Sequence, residues 1–61
     1  MMNKLIRKMM QLGFDLDLIE TVASVLDTDE QYKEMIQWLD WARNPTREEV
    51  MIKTIVIADE E

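Results

Sequence analysis

The stretch "MMQLGFDLDLIE", residues 9–20, contains the only glycine of the chain and separates two predicted helices. Before it, apolar residues recur at i, i+4 and i+7, the spacing of one helix face: Leu5, Met9 and Leu12. Gly13 can adopt a positive φ at no steric cost, so it predicts the end of the first helix. Phe14 either folds back onto that helix as a core residue, together with Leu12, or belongs to a loop that contacts a ligand.

Three further helices follow from capping signals. The second begins with Asp15 or Asp17 as its N-cap, and Glu20 three residues after Asp17 suits a capping box. Two segments match the S/T-x-x-E/Q capping box, residues 28–31 and 46–49. The predicted helices cover residues 4–12, 17–26, 29–42 and 47–58.

The fourth segment is unusual because it is apolar on nearly every side. Its end, "TIVIA" at residues 54–58, is rich in β-branched residues and is also compatible with a β-strand. No second strand is visible in the sequence to pair with it, and an isolated strand is not stable. We therefore predict a helix and an all-α fold class.

The composition limits the kinds of function available to the chain. A chain of 61 residues is expected to form a single helical domain, residues 1–61, with no enclosed active-site cavity. The chain lacks both cysteine and histidine, so we expect no disulfide, no cofactor and no metal site. No apolar run is long enough to span a membrane, so we predict a soluble, cytoplasmic protein. We expect no enzyme, because the chain is too short to enclose a cleft and its single glycine cannot form a phosphate-binding loop.

The charge of the chain is strongly acidic and unevenly distributed. The net charge is −6, with three basic residues and no acid in residues 1–11. Such a surface repels phosphate backbones, so we expect no nucleic-acid partner, and an acidic third helix does not suit a DNA groove. The acids either keep the protein in solution or attract a basic partner. "DTDEQY", from Asp27, lacks the glycine and the final glutamate of a calcium loop.

Two short motifs resemble ubiquitin-associated (UBA) domains over roughly residues 5–41. The first matches the spacing of the signature that opens these domains: Ile6, Met9 and Leu12-Gly13-Phe14. The second matches the apolar positions near the end of their third helix: Tyr32, Met35, Ile36, Trp38 and Leu39. The resemblance implies a UBA-like three-helix bundle over about residues 4–42, to which residues 47–58 add a fourth helix.

The resemblance also implies a function and a site. Domains of this family bind ubiquitin or other proteins, without catalysis or cofactor, through an apolar patch formed by the loop after helix 1 and the end of helix 3. Carried over by position, the patch consists of Leu12, Gly13, Phe14, Leu39 and Trp38. Trp41 lies on the flank of the same helix and is added to the expected partner-binding residues.

The apolar fourth helix gives an alternative function. A helix that is apolar all round is normally buried, and a chain of this length has little interior to cover it. We therefore consider a structural or regulatory subunit that acts as a homo-oligomer, at least a weak homodimer. Its interface is expected at four residues: Val50, Ile52, Val56 and Ile57.

Overall fold

The computed structural model describes the backbone of residues 2–60 and the side chains of residues 4–60. Over these residues the chain forms helices and no strand: α1 Met2–Gln11, α2 Leu16–Val25, α3 Asp29–Ala42 and α4 Arg47–Asp59. The predicted all-α fold class is confirmed, and the strand alternative for residues 54–58 is wrong. Met1 and Glu61, the ends of the predicted domain, lie outside the described residues.

The turn between α1 and α2 depends on Gly13, as the sequence predicts. Gly13 has a φ of +90°, and its N–H donates to the carbonyl of Met10 at 3.0 Å. The N–H of Phe14 donates to the carbonyl of Met9 at 3.1 Å. This pair of bonds is the Schellman motif, which satisfies carbonyls that the end of a helix leaves without partners. Phe14 is half-buried and packs against the core, as the first of its two alternatives expects.

The N-cap of helix α2 is Asp15, not Asp17. The Asp15 side chain accepts a hydrogen bond from the N–H of Leu18 at 3.2 Å, which is the N-cap contact. Asp17 lies in the first turn, where a negative charge interacts favourably with the helix dipole. The capping box predicted from Asp17 and Glu20 is therefore wrong, because Asp15 already caps the helix.

Two neighbouring side chains of α3 hold the connection from α2. The capping box predicted at residues 28–31 is present, and Gln31 is buried and also accepts from the N–H of Asp27. The Tyr32 hydroxyl donates to the α2 end, 3.0 Å from the carbonyl oxygens of Ala23 and Leu26. The first turn of α3 thus supplies partners for backbone groups at the end of α2.

The connection from α3 to α4 contains a strained residue. Arg43 has a φ of +67° and a ψ of −67°, and the N–H of Asn44 donates to the carbonyl of Ala42 at 2.7 Å. This is a γ-turn of the rare positive-φ type, which a side chain makes unfavourable. Pro45 is buried after it, and the capping box predicted at residues 46–49 opens α4.

Helix α4 completes the bundle by packing against both α2 and α3. Helix α1 also packs against α2 and α3. Among the described residues the backbones of α2 and α3 do not approach each other closely, and neither do those of α1 and α4. Around the bundle the order is therefore α1, α2, α4, α3, with α4 opposite α1.

All four helices contribute to one core. Helix α4 presents one edge inward at i, i+4 and i+7: Val50, Thr54 and Ile57. The buried hydroxyl of Thr54 donates to the carbonyl of Val50 at 2.7 Å, so the core holds a polar group without leaving it unsatisfied. The buried apolar residues are Leu5, Met9, Leu18, Ile19, Val22, Leu26, Tyr32, Met35, Leu39, Val50 and Ile57.

The positive φ of Gly13 gives a test of the first turn. We expect Gly13→Ala to lower the free energy of unfolding by about 1 kcal/mol, measured by urea denaturation. A Cβ at this position has no heavy atom within 4 Å, so the cost comes from the backbone and not from a clash. Gly13→Asn is the matched control, because asparagine tolerates positive φ better and should cost less. Equal losses for the two variants would contradict this explanation.

The Tyr32 hydroxyl gives a test of the α2–α3 connection. We expect Tyr32→Phe to lower the free energy of unfolding by about 1 kcal/mol, because it leaves carbonyls at the end of α2 without this donor. Ser24→Ala removes a hydroxyl that also donates to a backbone carbonyl, that of Thr21, but at an exposed position. We expect that control to change stability by less than about 0.5 kcal/mol. A Tyr32→Phe variant as stable as the native chain would refute the role of the hydroxyl.

Candidate functional site

Two ion pairs show which chain segments meet at one end of the bundle. Lys8 in α1 pairs with Asp40 in α3. Arg47 at the start of α4 donates to both carboxylate oxygens of Asp15 at 2.9 Å. The end of α1, the start of α2, the end of α3 and the start of α4 therefore lie at the same end. The loop at residues 12–14 and the end of α3, which the UBA resemblance brings together, both lie at this end.

The residues of that expected patch are not equally accessible. Gly13 is exposed, whereas Leu12 and Phe14 are half-buried and pack against the core. Leu39 is completely buried, since it occupies the inward stripe of α3 with Tyr32 and Met35. Leu39 therefore cannot belong to an accessible patch in this fold, which corrects the expectation from its position.

The two tryptophans differ in their surroundings. Trp38 is half-buried and packs against the core, on the side of α3 that faces α4. Trp41, one turn later, is 79% exposed. Positions three apart on a helix are neighbours, so the two residues lie on the same flank of α3. The sequence predicts this flanking position for Trp41.

The four residues expected at an oligomer interface fall on opposite sides of α4. Val50 and Ile57 are buried in the chain's own core and are not available to a second molecule. Ile52 and Val56 are exposed. Residues 50 and 57 share the face of α4 that is buried between α2 and α3. Residues 52 and 56 lie away from that face, so they remain exposed.

Ile55 is a further exposed residue that the sequence analysis did not select. It is 56% exposed, compared with 61% for Ile52 and 44% for Val56. Its spacing of three residues from Ile52 was a usable signal. The spacing identifies Ile55 as an exposed neighbour of Ile52 only once it is known which edge of α4 is buried.

Helices α3 and α4 share an apolar depression, and further exposed apolar residues follow its lining residues along each helix. Trp38, Ile52 and Val56 line this shallow depression of about 280 Å³, with Glu49 and Lys53 at its border. Trp41 follows Trp38 by three residues on α3, and Ile55 follows Ile52 by three residues on α4, which makes them neighbours on the helix surface. We call this set the α3–α4 apolar surface: Trp38, Trp41, Ile52, Ile55 and Val56. Large exposed apolar residues that adjoin one another are typical of binding surfaces.

A second apolar depression lies between α1 and α2, with a volume of about 400 Å³. Leu16 is its most exposed apolar residue, and Ile6 and Ile19 form its floor. It contains no aromatic side chain. Aromatic residues dominate the energetics of most protein interfaces, so this depression is a weaker candidate than the α3–α4 apolar surface.

The described residues contain no group of three or more carboxylates positioned to hold a metal ion. None of their helices is both long enough and apolar enough to cross a membrane. Comparison with protein-family models, with curated proteins and with solved structures finds no match to this chain.

The contact between α2 and α4 gives a test by pH titration. The hydrogen bonds from Arg47, and after them the N–H of Leu18, lower the pKa of Asp15 below its ordinary value. The stabilisation from this contact is therefore present above the ordinary pKa and is lost as the pH falls through the lowered one. We expect Arg47→Met to raise the pKa of Asp15, measured by NMR titration of its carboxyl carbon. Lys53→Met, on the other side of α4, should leave it unchanged, and equal values in the native chain and Arg47→Met would refute the contact.

Proposed function

We propose that this chain is a non-catalytic protein-interaction module that binds its partner through the α3–α4 apolar surface. One observation supports the proposal above the others. Helix α4 already buries a complete edge in the core, yet it exposes Ile52, Ile55 and Val56 on the other side. Large aliphatic side chains in water add nothing to the stability of this bundle, whereas their burial by a partner is favourable.

The tryptophans support the same proposal. Tryptophan is enriched among the residues that contribute most to binding at protein interfaces, and Trp41 is almost fully exposed. Trp38 and Ile52 share one depression, so a partner that covers α4 also contacts α3. The surface therefore combines aromatic anchors with an aliphatic ridge, which is the usual composition of an interface centre.

The sequence supports a function without catalysis. The chain has no histidine and no cysteine, so only carboxylates, lysines, hydroxyls and one tyrosine remain for acid–base or nucleophilic chemistry. The lack of cysteine also suits a cytoplasmic setting, which is part of this proposal.

The resemblance to UBA domains supports the same class of function but implies a different location for the interface. Its expected patch includes the loop at residues 12–14, and that loop lies at the same end of the bundle as the C-terminal part of α3. Leu12 and Phe14 are partly engaged by the core, and Leu39 is buried. We therefore propose the loop as a border of the interface, and the α3–α4 apolar surface as its centre.

The proposal is tested by separating stability from binding. We expect Ile52→Asn combined with Ile55→Asn to change the free energy of unfolding by less than about 0.5 kcal/mol, because both side chains are exposed. Leu39→Ala, in the core, should lose about 2–5 kcal/mol. Urea denaturation gives both values.

Binding is then measured with a photo-crosslinking residue at position 52 or 55 in the cells that produce the chain. We expect one protein to be crosslinked from these positions and not from position 20. Once purified, that protein should bind the native chain and Leu16→Asn, the control at another exposed apolar residue, but not the Ile52/Ile55 variant. A partner that binds the Ile52/Ile55 variant as well as the native chain would refute the proposed site.

A further inference from the structure

The outer side of α4 carries a regular line of four exposed residues. Glu48, Ile52, Ile55 and Asp59 follow each other at spacings of four, three and four, which aligns them along one face of the helix. The two isoleucines form the middle of the line, and a carboxylate lies at each end. With a rise of about 1.5 Å per residue, the two carboxylates are about 16 Å apart along the axis.

The negative charge of this line is not neutralised from within α4. Arg47, the neighbour of Glu48, is engaged by Asp15 on the α2 side. No basic residue lies in the last turn of α4, where Asp59 and Glu60 are both exposed. Acids at the C-terminal end of a helix are unfavourable with respect to the helix dipole, so a positive charge from outside would relieve them.

The surface beside the line suits long basic side chains. Two shallow depressions flank Ile52, one bordered by Glu48 and Met51 and the other by Glu49 and Trp38. Lysine and arginine bury their aliphatic stems on apolar surface while their charged ends reach a carboxylate. Each depression is also lined by one basic residue, Arg47 beside Glu48 and Lys53 beside Glu49. Arg47 donates both of its hydrogen bonds to Asp15 on the α2 side.

A second copy of this chain fits the line poorly. In an antiparallel pair, the alignment that packs Ile52 against Ile55 of the other copy also brings Glu48 opposite Asp59. In a parallel pair about a two-fold axis, each carboxylate meets its own equivalent. Like charges are therefore juxtaposed in both arrangements, and each copy also carries a net charge of −6.

We propose that the outer line of α4 binds a basic amphipathic helix of a partner protein. Apolar side chains on two successive turns of that helix cover Ile52 and Ile55, and a lysine or arginine one turn before and one turn after them meets Glu48 and Asp59. A standard interface buries about 800 Å² on each side. That is roughly a fifth of the 4429 Å² that the chain exposes. This inference rests on the proposed function and adds the chemistry of the partner.

The inference is tested with three synthetic helical peptides of 18 residues. The first carries two leucines and two lysines with the same spacings of four, three and four, and a neutral background. The second has glutamates in place of the lysines. The third keeps both lysines but moves them to the opposite face of the helix, so its net charge equals that of the first. Binding to the native chain is followed by NMR shifts of the backbone amides of Ile52 and Ile55.

We expect the first peptide to bind at least about tenfold more tightly than either of the others at low ionic strength. The difference should shrink at about 0.5 M salt, because exposed charges are then screened. In the chain that carries Glu48→Gln and Asp59→Asn, most of this difference in affinity between the peptides should be lost. Glu20→Gln combined with Asp27→Asn is the matched control, because it removes two exposed acids elsewhere and should preserve the difference in affinity.

Other results would overturn the inference. Equal affinity for the first and third peptides would mean general attraction to an acidic chain, and no binding of the first would exclude a basic helix. If the native chain sediments as a dimer and the Ile52/Ile55 variant sediments as a monomer, the occupant of the line is a second copy of this chain. A crosslinked partner that needs Ile52 and Ile55 but is indifferent to the Glu48/Asp59 variant would overturn this inference while leaving the proposed function intact.

Discussion

The packing of one edge of α4 between α2 and α3 is the contact on which the rest of this structure depends. Helices α2 and α3 do not approach each other closely, so Val50, Thr54 and Ile57 close a core that those two helices and α1 leave open. The buried Thr54 hydroxyl donates to the carbonyl of Val50 in its own helix at 2.7 Å and lies 3.9 Å from the sulfur of Met35 in α3, so this polar residue is satisfied within the core. Because α4 has a structural role on this edge, only its other edge is available for binding.

That division follows from the small size of the chain. A domain of about 60 residues has too little interior to cover both sides of four helices. Ile52, Ile55 and Val56 therefore remain in water, although they are as apolar as the residues that α4 buries. Ile52 and Val56 lie in the same depression as Trp38. This exposed apolar surface is the feature that a purely structural role does not explain, and it connects the packing of the bundle to the proposed interface.

Local sequence and tertiary packing agree at most of the helix ends. The turn at Gly13, the capping box from Thr28 and the capping box from Thr46 all satisfy backbone groups with residues that are close in sequence. Arg43 is the exception, since its positive φ is unfavourable for any side chain and nothing in its immediate sequence requires it. Leu39 before Arg43 and Pro45 after it are both buried, so packing fixes the chain on both sides of this residue and the bundle imposes the strain.

The sequence by itself determined the four helices and most of their ends, because apolar spacing, capping residues and glycine act over three or four residues. It also determined the acidic charge and the lack of histidine and cysteine. Only the tertiary structure decided which edge of α4 is buried, since a helix that is apolar on nearly every side carries no signal for its orientation. For the same reason Val50 and Ile57 were expected at an interface although they lie in the core, and Ile55 was not selected although it is exposed. Leu39 was placed in the expected patch by its position in the UBA resemblance, and it too lies in the core. Those assignments depend on contacts between segments distant in the chain, which no short-range pattern records.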